Sequence, residues 1–201
     1  MRRLIYLCAP ALFVTACSSS DIDSNEEARR AYLGLDESVG KSIQLGFDGF
    51  NAASSANIDP QATAGTANGT ITITGQVDQG ASANKGMRLH VGMVGYDDGP
   101  FVIDADGNTI EVTYDTSDVD TEQPFLSMML KNIPTGTLDG TLSGTYILSG
   151  DIESQATLDL VFDGQLQDGG GGSVIRVTGS THVTGTLTTD AGGTFDVDVT
   201  L

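Results

Sequence analysis

The chain has 201 residues, of which 27 are acidic and 9 are basic, and its formal net charge at pH 7 is −18. This balance argues against binding to nucleic acid, because phosphates are bound by Lys and Arg. It also argues against direct adhesion to anionic lipid head groups. A chain of this length with 39% hydrophobic residues is sufficient for one domain with a substantial core.

The chain begins with the pattern of an export signal. Arg2 and Arg3 precede an apolar run at residues 4–14, which is shorter than the roughly 20 residues of a membrane-spanning helix and has the length of a signal-peptide core. Residues 14–17, Val-Thr-Ala-Cys, come next. This segment resembles the lipobox of bacterial lipoprotein precursors, and the resemblance covers residues 1–18 only.

The lipobox resemblance implies a lipid anchor at Cys17, through which the protein would bind a membrane. The Cys17 thiol would carry a diacylglyceryl group, the chain would be cleaved after Ala16, and the new amino terminus would be acylated. Residues 1–16 are then a signal peptide and residues 17–23 a lipidated polar tether. Ser18 implies, by the same resemblance, the outer membrane of the cell envelope. The alternative is an ordinary secretory signal whose cleavage site happens to precede a cysteine.

The two cysteines of the chain, Cys8 and Cys17, both belong to this N-terminal region. Cys8 leaves with the signal peptide and Cys17 carries lipid. The remaining domain, residues 24–201, therefore has no disulfide and no thiolate metal site. We expect it to be held together by its core.

One amphipathic helix is predicted to begin at Ser24, which forms a capping box with Glu27. Behind this box, apolar or small residues recur at steps of three and four: Ala28, Tyr32, Leu35, Val39, Ile43, Gly46, Phe50 and Ala53. Asp36 is predicted on a polar flank, where replacement by alanine is near neutral. Glycines weaken the helix, so it needs a sheet to pack on or breaks near Gly46. Residues 57–69 have no period and are predicted to be a loop.

Apolar and polar residues alternate with a period of two from Thr70 onward, which is typical of antiparallel strands with one solvent-exposed face. The alternating segments are 71–77, 87–93, 110–114, 138–152, 158–166, 175–187 and 195–201. Residues 125–130 are apolar on both faces and are expected to form a central or covered strand. Residues 138–152 would extend about 50 Å if straight, so they form one long strand or two strands joined at a bend.

Glycines on the apolar side of these segments indicate a strongly curved sheet. The predicted fold is mainly β, of the α+β class, with the N-terminal helix packed on a long-stranded antiparallel sheet. The sheet is expected to form an open barrel or a sandwich.

The candidate for a metal site is Asp-Ala-Asp-Gly-Asn at residues 104–108. The EF-hand pattern requires glycine where this chain has Thr109, and the flanking residues are strand-like. Asp-Gly favours a β-hairpin turn, which is the preferred interpretation. The alternative is a low-affinity calcium site at which Asp98, Asp104 and Asp106 approach one another. No other cofactor is expected.

No catalytic motif stands out in the sequence. There is no Gly-x-Ser-x-Gly nucleophile elbow, and the glycine run at residues 169–172 precedes a strand-like segment, which excludes a P-loop. His90 and His182 fall on the polar faces of their predicted strands, and without a cysteine they do not indicate a zinc site. We therefore expect that the chain is not an enzyme.

Two functions from different classes remain. The first is a membrane-anchored lipoprotein of the cell envelope with a structural or interaction role toward a protein or lipid partner. The second is a carrier of a lipid or another apolar ligand in a groove between the helix and the curved sheet, by analogy of architecture with periplasmic lipoprotein carriers. Full packing of the helix on the concave face favours the first. A continuous apolar cavity of a few hundred Å³, on the order of known ligand sites, favours the second.

Overall fold

The computed structural model describes residues 21–201, so the predicted signal peptide and Cys17 lie outside the described residues. Within 21–201 the chain is mainly β, with two α-helices and twelve β-strands. Neither of these helices has the length and apolar character needed to span a bilayer.

The helical region contains two helices, α1 at Asn25–Leu33 and α2 at Asp36–Ala52. Ser24 caps α1 as predicted, because its hydroxyl accepts a hydrogen bond from the Glu27 amide at 3.3 Å. The Glu27 carboxylate accepts one in turn from the Asp23 amide at 2.9 Å. One orphan donor of the helix start, the Glu27 amide, is thereby satisfied, and the residue before the cap is tied to the first turn.

The break between the helices lies at Gly34, and the prediction of one helix that breaks, if at all, near Gly46 is wrong. A Cβ at Gly34 would lie 2.3 Å from the hydroxyl oxygen of Tyr114, and this hydroxyl donates a hydrogen bond to the carbonyl oxygen of Ala31 at 2.8 Å. The Leu35 amide donates to the Tyr32 carbonyl at 2.8 Å, which tightens the last turn. The side chain of Tyr114, from the sheet, therefore contacts α1 at the residue where the helix ends.

The strands all pair in antiparallel fashion. They are β1 Asn57–Ala64, β2 Asn68–Val77, β3 Lys85–Asp97, β4 Phe101–Val102, β5 Thr109–Ile110, β6 Val112–Asp115, β7 Phe125–Lys131, β8 Thr137–Gly150, β9 Ser154–Gly170, β10 Ser173–Arg176, β11 His182–Thr189 and β12 Thr194–Thr200. A short 3-10 helix covers Asp120–Glu122.

Ten strands form one sheet whose main order is β1-β2-β3-β6-β8-β9-β11-β12. Strand β7 also pairs with β3 and β8, β10 pairs with β9, and β4 and β5 form a separate hairpin. The sheet is curved but is not a closed barrel, and β1 and β12 are its edges.

Strand β1 occupies part of the segment that was predicted to be a loop, so that prediction is wrong. Of its eight residues only Ile58 is buried, because β1 is an edge strand, and the sequence therefore shows no alternation. Its register on β2 shifts between Ile58 and Gln61, around Pro60. Proline is tolerated at such an edge because its missing N–H is not needed for pairing.

Strand β8 settles the alternatives for its segment, because it is one continuous strand of 14 residues. Its first half pairs with β7 and its second half with β6. Between the two halves Gly144 has φ +145°, and a Cβ there would lie 2.4 Å from the Cα of Pro124. Glycine thus allows the close approach at which the strand changes partner. Strand β7 is central, as predicted.

The core lies between the helices and the concave face of the sheet. Helix α1 packs against β12, and α2 packs against β1, β2, β3 and β10. The predicted helix face is buried: Tyr32, Leu35, Val39 and Ile43 are at most 2% exposed. Phe50 and Ala53 are partly buried and pack against this core.

Candidate functional site

The space between the helices and the sheet is filled. Tyr114 and Tyr146 meet there edge to face, with ring centroids 6.5 Å apart, a favoured aromatic geometry. The void found within this interior has no room for a water molecule. It is lined by Ala31, Leu35, Tyr146, Leu148, Ala156, Leu158 and Leu187. The concave face is therefore used by the core itself.

A groove of about 780 Å³ lies along the more exposed side of α2, and we call it the α2 groove. Residues of α2 line it together with Thr63 of β1, residues 174–178 of β10 and the following loop, Thr181, and Leu201 after β12. Both ends of the open sheet thus contribute to it, so it lies where the sheet does not close. Its volume is within the range of about 300–1,000 Å³ that is typical of small-molecule sites.

Arg176 joins β10 to the start of α2 at one end of this groove. Its guanidinium donates to both carboxylate oxygens of Asp36, at 2.7 and 2.8 Å, and to the Asp36 carbonyl oxygen at 2.9 Å. Both side chains are mostly buried. Burial alone would lower the pKa of Arg176, but the hydrogen bonds and charge of Asp36 outweigh it and raise that pKa. The pair is a fixed structural link.

Gln44 makes a second link between α2 and β10. Its amide nitrogen donates to the Val174 carbonyl oxygen at 2.7 Å, and its amide oxygen accepts from the Ser173 hydroxyl at 2.6 Å. Helix α2 is therefore hydrogen-bonded to β10 at two places along the α2 groove.

Lys41, the other basic residue of the groove, is paired with Asp98. The Asp98 carboxylate also accepts hydrogen bonds from the Thr66 amide at 2.8 Å and from the Tyr96 hydroxyl. Burial alone would raise the pKa of Asp98, but these hydrogen bonds outweigh it and the pKa is lowered. Asp98 is thus fully engaged in holding α2 to the β1 and β3 side of the molecule.

Two acidic residues of the groove are not engaged in this way. Glu37 and Asp48 are exposed, and within residues 21–201 neither makes a hydrogen bond or an ion pair. Because both basic side chains of the groove are paired with carboxylates, the α2 groove as a whole presents uncompensated negative charge.

The calcium candidates do not come together. Residues 104–108 form a hairpin turn between β4 and β5, as predicted. One Asp104 carboxylate oxygen accepts from the Asp106 and Asn108 amides at 3.0 and 3.1 Å, and the Asn108 side chain donates to the other at 2.7 Å. Hydrogen bonds from Asn108 lower the pKa of Asp104. No group of three or more His, Cys, Asp or Glu within 21–201 is placed to hold a metal ion.

The two histidines lie apart in separate surroundings. His182 is exposed on β11, and its Nε2 lies 2.9 Å from a carboxylate oxygen of Asp198. His90 packs against Phe125 with ring centroids 5.1 Å apart, and its Nδ1 is buried without a hydrogen-bond partner among the described residues. Neither lines the α2 groove.

Sequence reasoning offered a groove between the helix and the sheet as an alternative, but it did not identify the residues of the α2 groove or the Arg176–Asp36 link. A signal for Arg176 was present, since it interrupts an otherwise apolar segment, Val-Ile-Arg-Val, at residues 174–177. Comparison of the chain with protein-family models, curated proteins and solved structures finds no match.

Proposed function

We propose that this chain is a lipid-anchored protein of the cell envelope with a structural or interaction role, without enzymatic activity. Two observations support the proposal. The residues up to Cys17 resemble a lipoprotein signal, and side chains fill the interior between the buried helix faces and the concave face of the sheet, which leaves no enclosed cavity there for a carried ligand. The second observation carries the choice between the two functional classes.

The surface offered to a partner is the solvent-exposed face of the sheet. Apolar side chains are exposed on its central strands: Met129 of β7 is 39% exposed, Ile147 of β8 52% and Val161 of β9 56%. Beside them Asp139 and Asp163 face each other across β8 and β9. Like charges in directly opposite positions destabilise a sheet. Lys131 compensates Asp139, with 2.6 Å between its Nζ and a carboxylate oxygen, and within residues 21–201 Asp163 makes no ion pair. A basic partner with apolar contacts would fit this face.

Lipid attachment is tested with the full-length chain expressed in a Gram-negative bacterium. A palmitate analogue should label the wild type and should not label Cys17→Ala, because Cys17 carries the acyl groups in this proposal. Cys8→Ala is the matched control and should be labelled like the wild type, since Cys8 lies inside the signal peptide. Equal labelling of Cys17→Ala and wild type would contradict the anchor.

The choice of class is tested on the purified full-length protein. Organic extraction followed by mass spectrometry should release no stoichiometric non-covalent anionic lipid, because the interior is filled by side chains and the α2 groove presents uncompensated negative charge. A constant molar ratio of extractable lipid that persists through purification would favour the carrier over the structural protein.

A further inference from the structure

The glycines of α2 differ in what surrounds them. A Cβ at Gly46 would lie 2.8 Å from the sulfur of Met87, and one at Gly49 would lie 2.8 Å from Cδ1 of Ile58. Close packing therefore explains both. A Cβ at Gly40 would meet a single group, Nη2 of Arg176, at the ordinary van der Waals distance of 3.8 Å.

Packing within the described residues thus does not require glycine at position 40. Gly40 is inside a helix, where glycine is less favourable than alanine, and its backbone is helical. Gly40 also lines the α2 groove. The effect of the missing side chain is to keep the floor of the groove open.

The groove next to Gly40 has apolar walls beside the paired Arg176 guanidinium, whose Nη2 would lie 3.8 Å from a Cβ at Gly40. Val174 and Ile43 are buried beneath its surface, and Val177 and Leu201 are partly buried along it. Ile175 is 42% exposed at the same place. An apolar chain laid over Gly40 would remove this surface from water, which is favourable in proportion to the area covered.

The charges of the groove indicate the sign of the head group. Arg176 and Lys41, which are already paired with carboxylates, lie toward the start of α2. Asp48 is exposed and lies about 10 Å further along the helix axis than Lys41, at 1.5 Å per residue. The net charge of −18 also repels anionic molecules.

We infer that the α2 groove binds an amphiphile with one apolar chain and a cationic head group. The apolar chain lies over Gly40 between α2 and β10, and the head group lies beside Asp48. The site does not depend on the lipid anchor or on the function proposed above, and its failure leaves the labelling experiment on Cys17 unaffected.

Dodecyltrimethylammonium is the probe, titrated below its critical micelle concentration into the full-length protein. Binding is measured by calorimetry, and its place by amide shifts in the NMR spectrum. We expect saturable binding with shifts in α2 and at residues 174–178. Laurate, with a similar chain and an anionic head, should bind at least about tenfold more weakly, and tetramethylammonium, the head alone, should produce no saturable shifts.

Two substitutions separate the chain from the head group. Gly40→Leu fills the floor and should weaken binding at least about tenfold, since the apolar contact is lost. Asp48→Asn should weaken it about two- to fivefold, the effect of one exposed ion pair. Asp163→Asn on β9 removes the same charge away from the groove and should change the affinity little.

Gly40→Ala and Ile175→Lys keep the test decisive if Gly40→Leu does not fold. Gly40→Ala should fold and bind the probe nearly as tightly as the wild type, because one methyl group covers little of the groove. Ile175→Lys should weaken binding of the cationic probe without a change in melting temperature. The proposal would be overturned if laurate bound as tightly as the cationic probe, or if Asp163→Asn weakened binding as much as Asp48→Asn. It would also be overturned if a folded Gly40→Leu bound with wild-type affinity. If Gly40→Leu does not fold, wild-type affinity in Ile175→Lys would overturn it instead.

Discussion

The inner and outer faces of α2 both contain glycine, but the surroundings of the glycine differ between the two faces. On the inner face Val39, Ile43 and Phe47 are buried, and glycine at position 49 lets strand β1 approach within contact distance. On the outer face a Cβ at Gly40 would meet one group, Nη2 of Arg176, at the ordinary contact distance of 3.8 Å. Glycine inside this helix therefore has two different roles. At position 49 it allows close packing of a strand, and at position 40 it leaves the groove unfilled. The inner face packs in the core, and the outer face lines the α2 groove.

The strongest test of this difference is a charge on each face. Ile43→Asp should destabilise the domain by about 3–5 kcal/mol, because it buries an unpaired carboxylate among apolar side chains. Asp48→Ala on the outer face should change the free energy of unfolding by less than about 0.5 kcal/mol, as exposed substitutions do. Urea denaturation measures both, and similar losses in the two variants would remove the distinction between the faces.

Phe50→Asp extends the same test to the end of α2. Its loss should be smaller than that of Ile43→Asp, because Phe50 is only partly buried. The Lys85 ammonium also lies over its ring, 4.3 Å from the centroid, and would partly compensate a carboxylate there. An equal loss in both variants would contradict this gradient of burial.

Asp36→Ala tests whether the outer face is loosely or firmly attached. The sequence predicts a near-neutral change, whereas the structure shows that Asp36 is the partner of a mostly buried Arg176, which favours a larger effect. We expect a loss of about 2 kcal/mol, since removal of one partner leaves a charged group without its hydrogen bonds. The double variant Asp36→Ala with Arg176→Met should recover part of this loss. A single variant as stable as the wild type would show that the link contributes nothing.

Alanine at the two kinds of glycine should change stability in opposite directions. Gly49→Ala should destabilise by about 1–3 kcal/mol, because the new methyl group overlaps Ile58 and cannot be accommodated without a shift. Gly40→Ala should stabilise by about 0.5–1 kcal/mol, because alanine favours the helix and has space. Thermal and urea unfolding of both variants measure the free energy of unfolding. A change of the same sign in both would contradict the two different roles of these glycines.

The smallest expected effect is a pH dependence from the link between Lys41 and Asp98. The pKa of Asp98 is lowered in the folded protein, although burial opposes this, because of its hydrogen bonds with Lys41, Tyr96 and Thr66. Its contribution to stability is therefore complete above the unfolded pKa of about 3.9 and is lost as the pH falls through the lower folded value.

The stability difference between wild type and Asp98→Asn should consequently shrink as the pH falls from about 5 to below 4. Urea denaturation at several pH values measures this difference. Asp163→Asn, at an exposed position on β9, serves as the control for the general charge. A difference that stays constant over this range would show that Asp98 does not hold α2 through its charge.

Most strands of the sheet could be predicted from the sequence because one face of each is buried and the other is exposed to solvent, so apolar and polar residues alternate. Leu158, Leu160 and Phe162 of β9, for example, are at most 3% exposed, and the residues between them are exposed. Strand β1 is an edge strand with one buried residue, so its residues do not alternate between apolar and polar and no strand was predicted there.

The features that decide the candidate site depend on residues distant in the chain. The end of α1 is accompanied by the Tyr114 hydroxyl, which bonds a carbonyl 83 residues away, and Arg176 meets Asp36 across 140 residues. No local pattern contains such information. The role of Gly40 likewise becomes visible only when the space above it is known. The anchor at Cys17 stays a prediction.

Helix α1 rests on β12, where the Asp196 amide donates a hydrogen bond to the Asn25 side-chain oxygen at 3.0 Å, 171 residues away. A polypeptide that emerges from the ribosome with its N-terminus first cannot make this contact until residue 196 has been synthesised. Until then α1 lacks the part of its packing surface that β12 supplies, and helices of its length are marginal alone. Contacts between such distant residues are associated with slow folding. The domain therefore cannot complete the contact between α1 and β12 until the last strand of its sheet has been synthesised.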